Sequence, residues 1–189
     1  MRVISGKNKG TKLYTLEGLN TRPTLDRVKE SLFNIINFDI PGCTFLDLFA
    51  GSGSIGIEAA SRGAKKVIMC EKAKDAVNII NKNLEKTKLK EQVKLYNYDY
   101  EKCINLLEEK IDIVYLDPPY KTDYAYKAAR LMLERGLLKE SSMLILETDI
   151  EQIVEKQFKN LALEEFDNKK YGRAHLLFYK LKNSDSFIQ

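Results

Sequence analysis

A chain of 189 residues is sized for one domain with a substantial core. With 44% hydrophobic and 31% charged residues it is neither disordered nor fibrous, and no apolar run of about 18 residues offers a transmembrane helix. The net charge of +4 is compatible with a polyanionic partner without requiring one.

Cys43, Cys70 and Cys103 are widely spaced, matching neither a disulfide framework nor metal-ligand spacing, and His175 is the one histidine, so no metal is expected. The start, Met1-Arg2-Val3-Ile4-Ser5-Gly6-Lys7, has no apolar stretch of the signal-peptide kind, and a cytoplasmic location is expected.

Residues 2–4 and 11–13, joined by Gly6-Lys7-Asn8-Lys9-Gly10, read as a small hairpin. Arg2, Lys7, Lys9 and Lys12 lie there with no acidic residue among them as far as Leu16. After Arg22-Pro23-Thr24, a helix over 26–37 places Val28, Leu32, Ile35 and Ile36 on one face, with Thr24 or Leu25 near its N-cap. From residue 44 the pattern alternates. Strands are predicted at 44–49, 66–70, 93–98, 111–116 and 143–147, and helices at 54–61, 73–87, 100–109, 123–134 and 151–158, with Gly136 closing the fourth. This βαβα order implies a mainly parallel sheet covered by helices on both faces. Residues 161–166 and 174–180 then read as two successive strands, an antiparallel hairpin that nicotinamide-binding Rossmann domains do not usually carry and methyltransferases do.

Gly51-Ser52-Gly53-Ser54-Ile55-Gly56 formally matches the dinucleotide fingerprint, with Glu71 placed to accept from ribose hydroxyls. Asp47 argues otherwise. A carboxylate four residues before the first glycine opposes a pyrophosphate but suits S-adenosylmethionine, which carries an ammonium and a sulfonium. Asp99, read as ending the third strand, would accept from the adenine amino group. Phe49, Gly51, Ser52, Gly53 and Tyr100 complete the candidate cofactor residues.

Asp117-Pro118-Pro119-Tyr120 closes the apolar run Ile111-Asp112-Ile113-Val114-Tyr115-Leu116. Two prolines make the chain leave the sheet stiffly, which fixes two acceptors, the Asp117 carboxylate and the Pro118 carbonyl, beside a flat ring. That arrangement suits a planar group with an exocyclic NH2. Holding both of its N–H groups localises the nitrogen lone pair for attack on a sulfonium methyl, and Tyr120 would stack on the base. The residues define an amino-methyltransferase; an adenine-N6 methyltransferase of DNA or RNA and a nicotinamide-dependent oxidoreductase are the alternatives.

With Met1-Arg2-Val3-Ile4-Ser5-Gly6, Thr21-Arg22-Pro23-Thr24-Leu25-Asp26-Arg27-Val28-Lys29-Glu30, Leu46-Asp47-Leu48-Phe49-Ala50-Gly51-Ser52-Gly53, Asp117-Pro118-Pro119-Tyr120 and Tyr171-Gly172, the chain resembles the RsmD family of bacterial ribosomal RNA methyltransferases over nearly its whole length. The resemblance implies a class I S-adenosylmethionine-dependent methyltransferase (Rossmann-like) α/β fold with a seven-stranded sheet. It implies methylation of a guanine N2 amino group in 16S rRNA, within a 30S subunit or assembly intermediate, by a monomer that releases S-adenosylhomocysteine. It also puts Arg22 and Thr24 over the methionine end of the cofactor and Arg2, Lys7, Lys9 and Lys12 against RNA. The expected organisation is a basic hairpin extension at 1–20, the catalytic domain at 21–183 and a tail at 184–189.

Overall fold

The computed structural model of the chain describes residues 1–16, 23–119 and 122–182, with the side chains of 23–26 outside that description. Helix α1 (Pro23–Ile35) precedes β1 (Thr44–Asp47), α2 (Ser54–Ser61), β2 (Lys66–Cys70), α3 (Lys74–Thr87), β3 (Val93–Tyr96), α4 (Tyr100–Asn105), β4 (Ile111–Leu116), α5 (Tyr124–Glu134), β5 (Leu138–Thr148), α6 (Glu151–Phe158), β6 (Leu163–Tyr171) and β7 (Ala174–Leu181).

The inner strands carry apolar residues on both sides, so both faces of the sheet must be covered. Phe45, Ile113, Ile145 and Phe178 face α1, α2 and α3 in one core cluster. Their neighbours Leu46, Val114, Leu144 and Leu177 face α4, α5 and α6 in the other. This is the alternation that a period of two imposes on a strand. The seven strands run β3-β2-β1-β4-β5-β7-β6. Strands β1 to β5 pair in parallel, and β7 lies antiparallel between β5 and β6. The terminal hairpin predicted from two consecutive strand patterns is therefore present.

Boundaries differ where polar side chains take backbone partners. Strand β1 stops at Asp47 and β3 at Tyr96, short of the predicted ends. Asp99 belongs to the next element: with extended backbone (φ −70°, ψ 165°) it caps α4, its carboxylate accepting the Lys102 N–H at 2.8 Å. Residues 167–171, expected to be a connector, extend the ladder of β6 instead. Strand β6 is a sheet edge, where charged side chains are tolerated and deter pairing with other chains. Strand β5 likewise begins earlier than predicted, at Leu138 beside Ile111. Helix α1 begins at Pro23, a residue preorganised for the first helical position, rather than at 26. Gly136 does close α5: at φ +61° it donates to the Leu133 carbonyl while Leu137 donates to that of Met132, a Schellman stop.

The N-terminal hairpin forms around a single Arg2–Lys12 bridge and drives Val3 and Leu13 into the core. Glu58 of α2 anchors it from below. Its fully buried carboxylate accepts the N–H groups of Ile4 and Ser5 at 2.8 and 2.9 Å and the Arg62 Nε at 2.8 Å. Lys29 of α1 stands 3.5 Å from the same carboxylate and donates to the Arg2 carbonyl at 2.6 Å and the Ser54 hydroxyl at 3.0 Å. At Gly6 (φ +80°) a Cβ would stand 1.9 Å from the Ser61 carbonyl oxygen, so only glycine permits this approach.

Truncating one partner of a buried ion pair strands the other charge in a dry site. Glu58→Ala is expected to lower the unfolding free energy by about 3–5 kcal/mol in urea titrations. A loss below about 1 kcal/mol would mean the cluster behaves as a solvated surface pair.

Candidate active site

The strand order reverses between β1 and β4, and in such sheets a crevice opens beyond the C-terminal ends of the strands at that point. Asp47 ends β1 directly beside Tyr115 of β4, and Leu116 pairs with Leu146 of β5. Asp117, just past the end of β4, and Glu147, the residue before Thr148 at the end of β5, therefore lie side by side at the C-terminal ends of neighbouring strands. Glu71 follows β2.

The glycine loop between β1 and α2 turns through two positive-φ residues, Gly51 (+54°) and Gly53 (+77°). A Cβ on Gly53 would press on Ile80 at 3.2 Å, whereas one on Gly51 would meet nothing within 4 Å. Gly53 packs the loop onto α3, and the space beside Gly51 remains open to a ligand. Glu71 holds the loop with both oxygens, accepting the Gly51 N–H at 2.8 Å and the Ala73 N–H at 2.7 Å. Ser52 is buried, and its carbonyl accepts from the Asn83 amide at 3.0 Å.

Asp47 is buried and accepts the Gly56 N–H of α2 at 3.0 Å. Burial, with the charge of Glu71 adding to it, pushes its pKa up to about 7, although the N–H groups of Gly56 and Phe49 pull the other way. Asp117 retains solvent-accessible surface, yet protein crowds it closely. Desolvation, then the charges of Glu147 and Asp47, hold its carboxyl above the usual carboxylate range, and its contact with water tempers that displacement. Glu147 is also raised by burial, although it accepts a hydrogen bond from the Tyr115 hydroxyl. Four acidic side chains thus converge on one end of the sheet. A cation or a donor-rich group is the natural ligand of such a field, and a pyrophosphate is not.

Phe49 and Tyr100 meet with ring centroids 5.6 Å apart, and Tyr100 continues to Tyr124 at 5.0 Å, which makes an aromatic flank. Pro118 and Pro119 lead away from β4 as the sequence predicts. Tyr120, Arg22 and the Thr24 side chain lie outside the described residues. Arg2, Lys7, Lys9 and Lys12 are all exposed on the docked hairpin, with Lys7 reaching the Gln92 side chain at 2.9 Å. Tyr115, Tyr124 and Glu147 were not singled out from sequence. Glu147 did carry the same signature as Glu71, an acid following an apolar strand run, while Tyr115 and Tyr124 look like ordinary core and helix residues.

The family model described as Conserved hypothetical protein 95 matches residues 1–180. YlbH of Bacillus subtilis is 35% identical over 183 residues, covering 95% of this chain and 98% of its own length. Ribosomal RNA small subunit methyltransferase D of Haemophilus influenzae is 39% identical over 155 residues, or 79% of each chain. The solved structure of HI0767, from the same organism, matches with a TM-score of 0.77 at 32% identity, covering 97% of this chain and 99% of that one.

The raised carboxyl of Asp47 ties stability to pH. The folded chain binds this proton more tightly than the unfolded chain, so the contribution is full below about pH 4 and is lost as pH rises through about 7. Asp47→Asn, whose amide oxygen can still accept from Gly56, is expected to flatten that decline by up to about 1.4 kcal/mol per pH unit. Unfolding titrations between pH 4 and 7 measure it, and a slope equal to that of the parent chain would refute the assignment.

Proposed function

The chain belongs to the family of ribosomal RNA small subunit methyltransferase D, and from that membership we propose that it transfers a methyl group from S-adenosylmethionine to the N2 amino group of a guanine in 16S rRNA. The observation that carries this reading is the position of Asp117-Pro118-Pro119: a stiff pair of acceptors leaving β4 at the strand-order reversal, at the same end of the sheet as the glycine turn that follows β1. The rRNA rests on the relatives' names, and the guanine on the family resemblance.

The residues present fit S-adenosylmethionine. Gly51 offers backbone with open space where a Cβ would stand. The acidic surroundings of Asp47 and Glu71 favour a ligand with positive centres and no phosphate. Glu71 would take the ribose hydroxyls. Asp99, with one oxygen engaged by the Lys102 N–H, has the other for the adenine amino group. Phe49 and Tyr100 would flank the adenine, and Arg22 and Thr24 the methionine end. Once bound, the cofactor supplies a methyl group made electrophilic by its sulfonium.

The protein's part is acceptance and orientation. The Asp117 carboxylate and the Pro118 carbonyl take the two amino N–H bonds, which draws the nitrogen lone pair out of ring conjugation and points it along the line of attack. Tyr120 would hold the base by stacking, worth about 1–3 kcal/mol. The methylated nitrogen is then acidic enough to lose its extra proton to water. The exposed Arg2, Lys7, Lys9 and Lys12 would bind phosphates, positioning the RNA without reading its sequence.

Asp117→Ala is expected to abolish labelled methyl transfer to 30S particles from cells lacking the enzyme while leaving cofactor binding nearly unchanged. Loss of both would make Asp117 a cofactor or folding residue instead. Nucleoside mass spectrometry of the product should show N2-methylguanosine; N6-methyladenosine would select the adenine reading. Lys7→Glu combined with Lys9→Glu should weaken RNA binding and reduce its salt dependence, with cofactor affinity unaltered. An unchanged salt slope would remove the hairpin from the interface.

A further inference from the structure

We infer that Glu147, aimed by the Tyr115 hydroxyl, is a specificity residue that accepts the ring N1–H of the target base and so selects guanine over a base with an unprotonated N1. The inference rests on the reading of the chain as a guanine-N2 methyltransferase.

Leu116 and Leu146 are register partners, so Asp117, just past the end of β4, comes to lie beside Glu147, the penultimate residue of the parallel strand β5. Glu147 also borders the small cavity walled by Pro118 and Pro119. Its orientation is built in. Tyr115 is 2% exposed, and its hydroxyl donates to Oε2 of Glu147. Among the described residues that hydroxyl is the carboxylate's one hydrogen-bond partner, which leaves acceptor capacity on a carboxylate held in place beside Asp117.

Two carboxylates at one site repel each other, and the charge of Glu147 is one of the causes that raise Asp117. Such a pair is relieved by a ligand edge that presents several donors. Guanine has that edge: N1–H and the two N2–H bonds stand side by side in one plane. Adenine offers its amino group next to an unprotonated N1, whose lone pair would face the second carboxylate. An unpaired acceptor against a buried acceptor is penalised more heavily than a missing contact, which is why sites built around hydrogen bonds discriminate well. Asp117 and Pro118 alone read an amino group. Adding Glu147 makes the reader specific for an amino group beside a ring N–H.

The test uses 30S particles reconstituted with ligated 16S rRNA that carries either guanine or 2-aminopurine at the methylated position. 2-Aminopurine keeps the 2-amino group and lacks the N1 hydrogen. The unaltered protein is expected to prefer guanine in kcat/KM by at least about tenfold. Glu147→Gln retains an oxygen for Tyr115 and gains an N–H donor suited to an unprotonated N1. It should lose activity on guanine, gain on 2-aminopurine, and bring the ratio to about one or below, with S-adenosylhomocysteine binding unchanged. Tyr115→Phe should reduce the preference without inverting it. Guanine transfer with the parent ratio retained in Glu147→Gln would overturn the inference alone, as would loss of S-adenosylhomocysteine binding in that variant. No transfer by the unaltered protein to either base would overturn the guanine reading itself.

Discussion

One buried carboxylate joins the parts of this molecule that act together. Glu58 sits on α2, the helix that begins at the glycine loop, and its side chain receives two N–H groups of the hairpin, the Arg62 guanidinium and the Lys29 ammonium. Burying a charge this completely is unfavourable unless each lone pair finds a donor, and the site provides four. Lys29 passes the constraint on, because its ammonium reaches both the Arg2 carbonyl and the Ser54 hydroxyl. Hairpin, α1 and the first residue of α2 therefore share one polar knot beneath an apolar surface made by Val3, Leu13, Val28 and Leu32.

The C-terminal ends of the strands have a different character. There, acidic side chains are gathered with few donors to satisfy them: Asp47 against one N–H of α2, Glu147 against one hydroxyl, and Asp117 against neighbours of its own sign. Glu58 is saturated with donors; Asp47, Asp117 and Glu147 are not. Incomplete hydrogen bonding of this kind is what a candidate binding site offers, and the raised pKa values of Asp47, Asp117 and Glu147 record the same fact.

Most of this arrangement is legible in the chain. Period-two and period-3.6 patterns gave the alternation of strands and helices, the Asp-Pro-Pro segment marked the end of β4, and two consecutive terminal strands announced the antiparallel edge. The discrepancies have local causes. Asp99 has the pattern of a strand terminus, an acid following an apolar stretch, yet the same carboxylate is a better helix cap. The polar stretch 167–171 has the composition of a connector, because composition cannot show that a strand lies at an edge, where polarity is harmless. The partnership of Tyr115 and Glu147 spans 32 residues and depends on strand register, which no local pattern contains.

The contact at Gly6 has a thermodynamic consequence. With no room for a methyl group between it and the Ser61 carbonyl, the basic hairpin lies flat on the body of the protein, its turn clasped by Ser61 on both sides. A flexible arm must surrender its conformational freedom on meeting a partner, and the affinity is reduced by that amount. This arm surrendered it during folding. Its lysines are presented on a rigid backbone, so a complementary polyanion would gain their attraction at the cost of side-chain ordering alone, and a partner of the wrong shape could not remould the arm to fit.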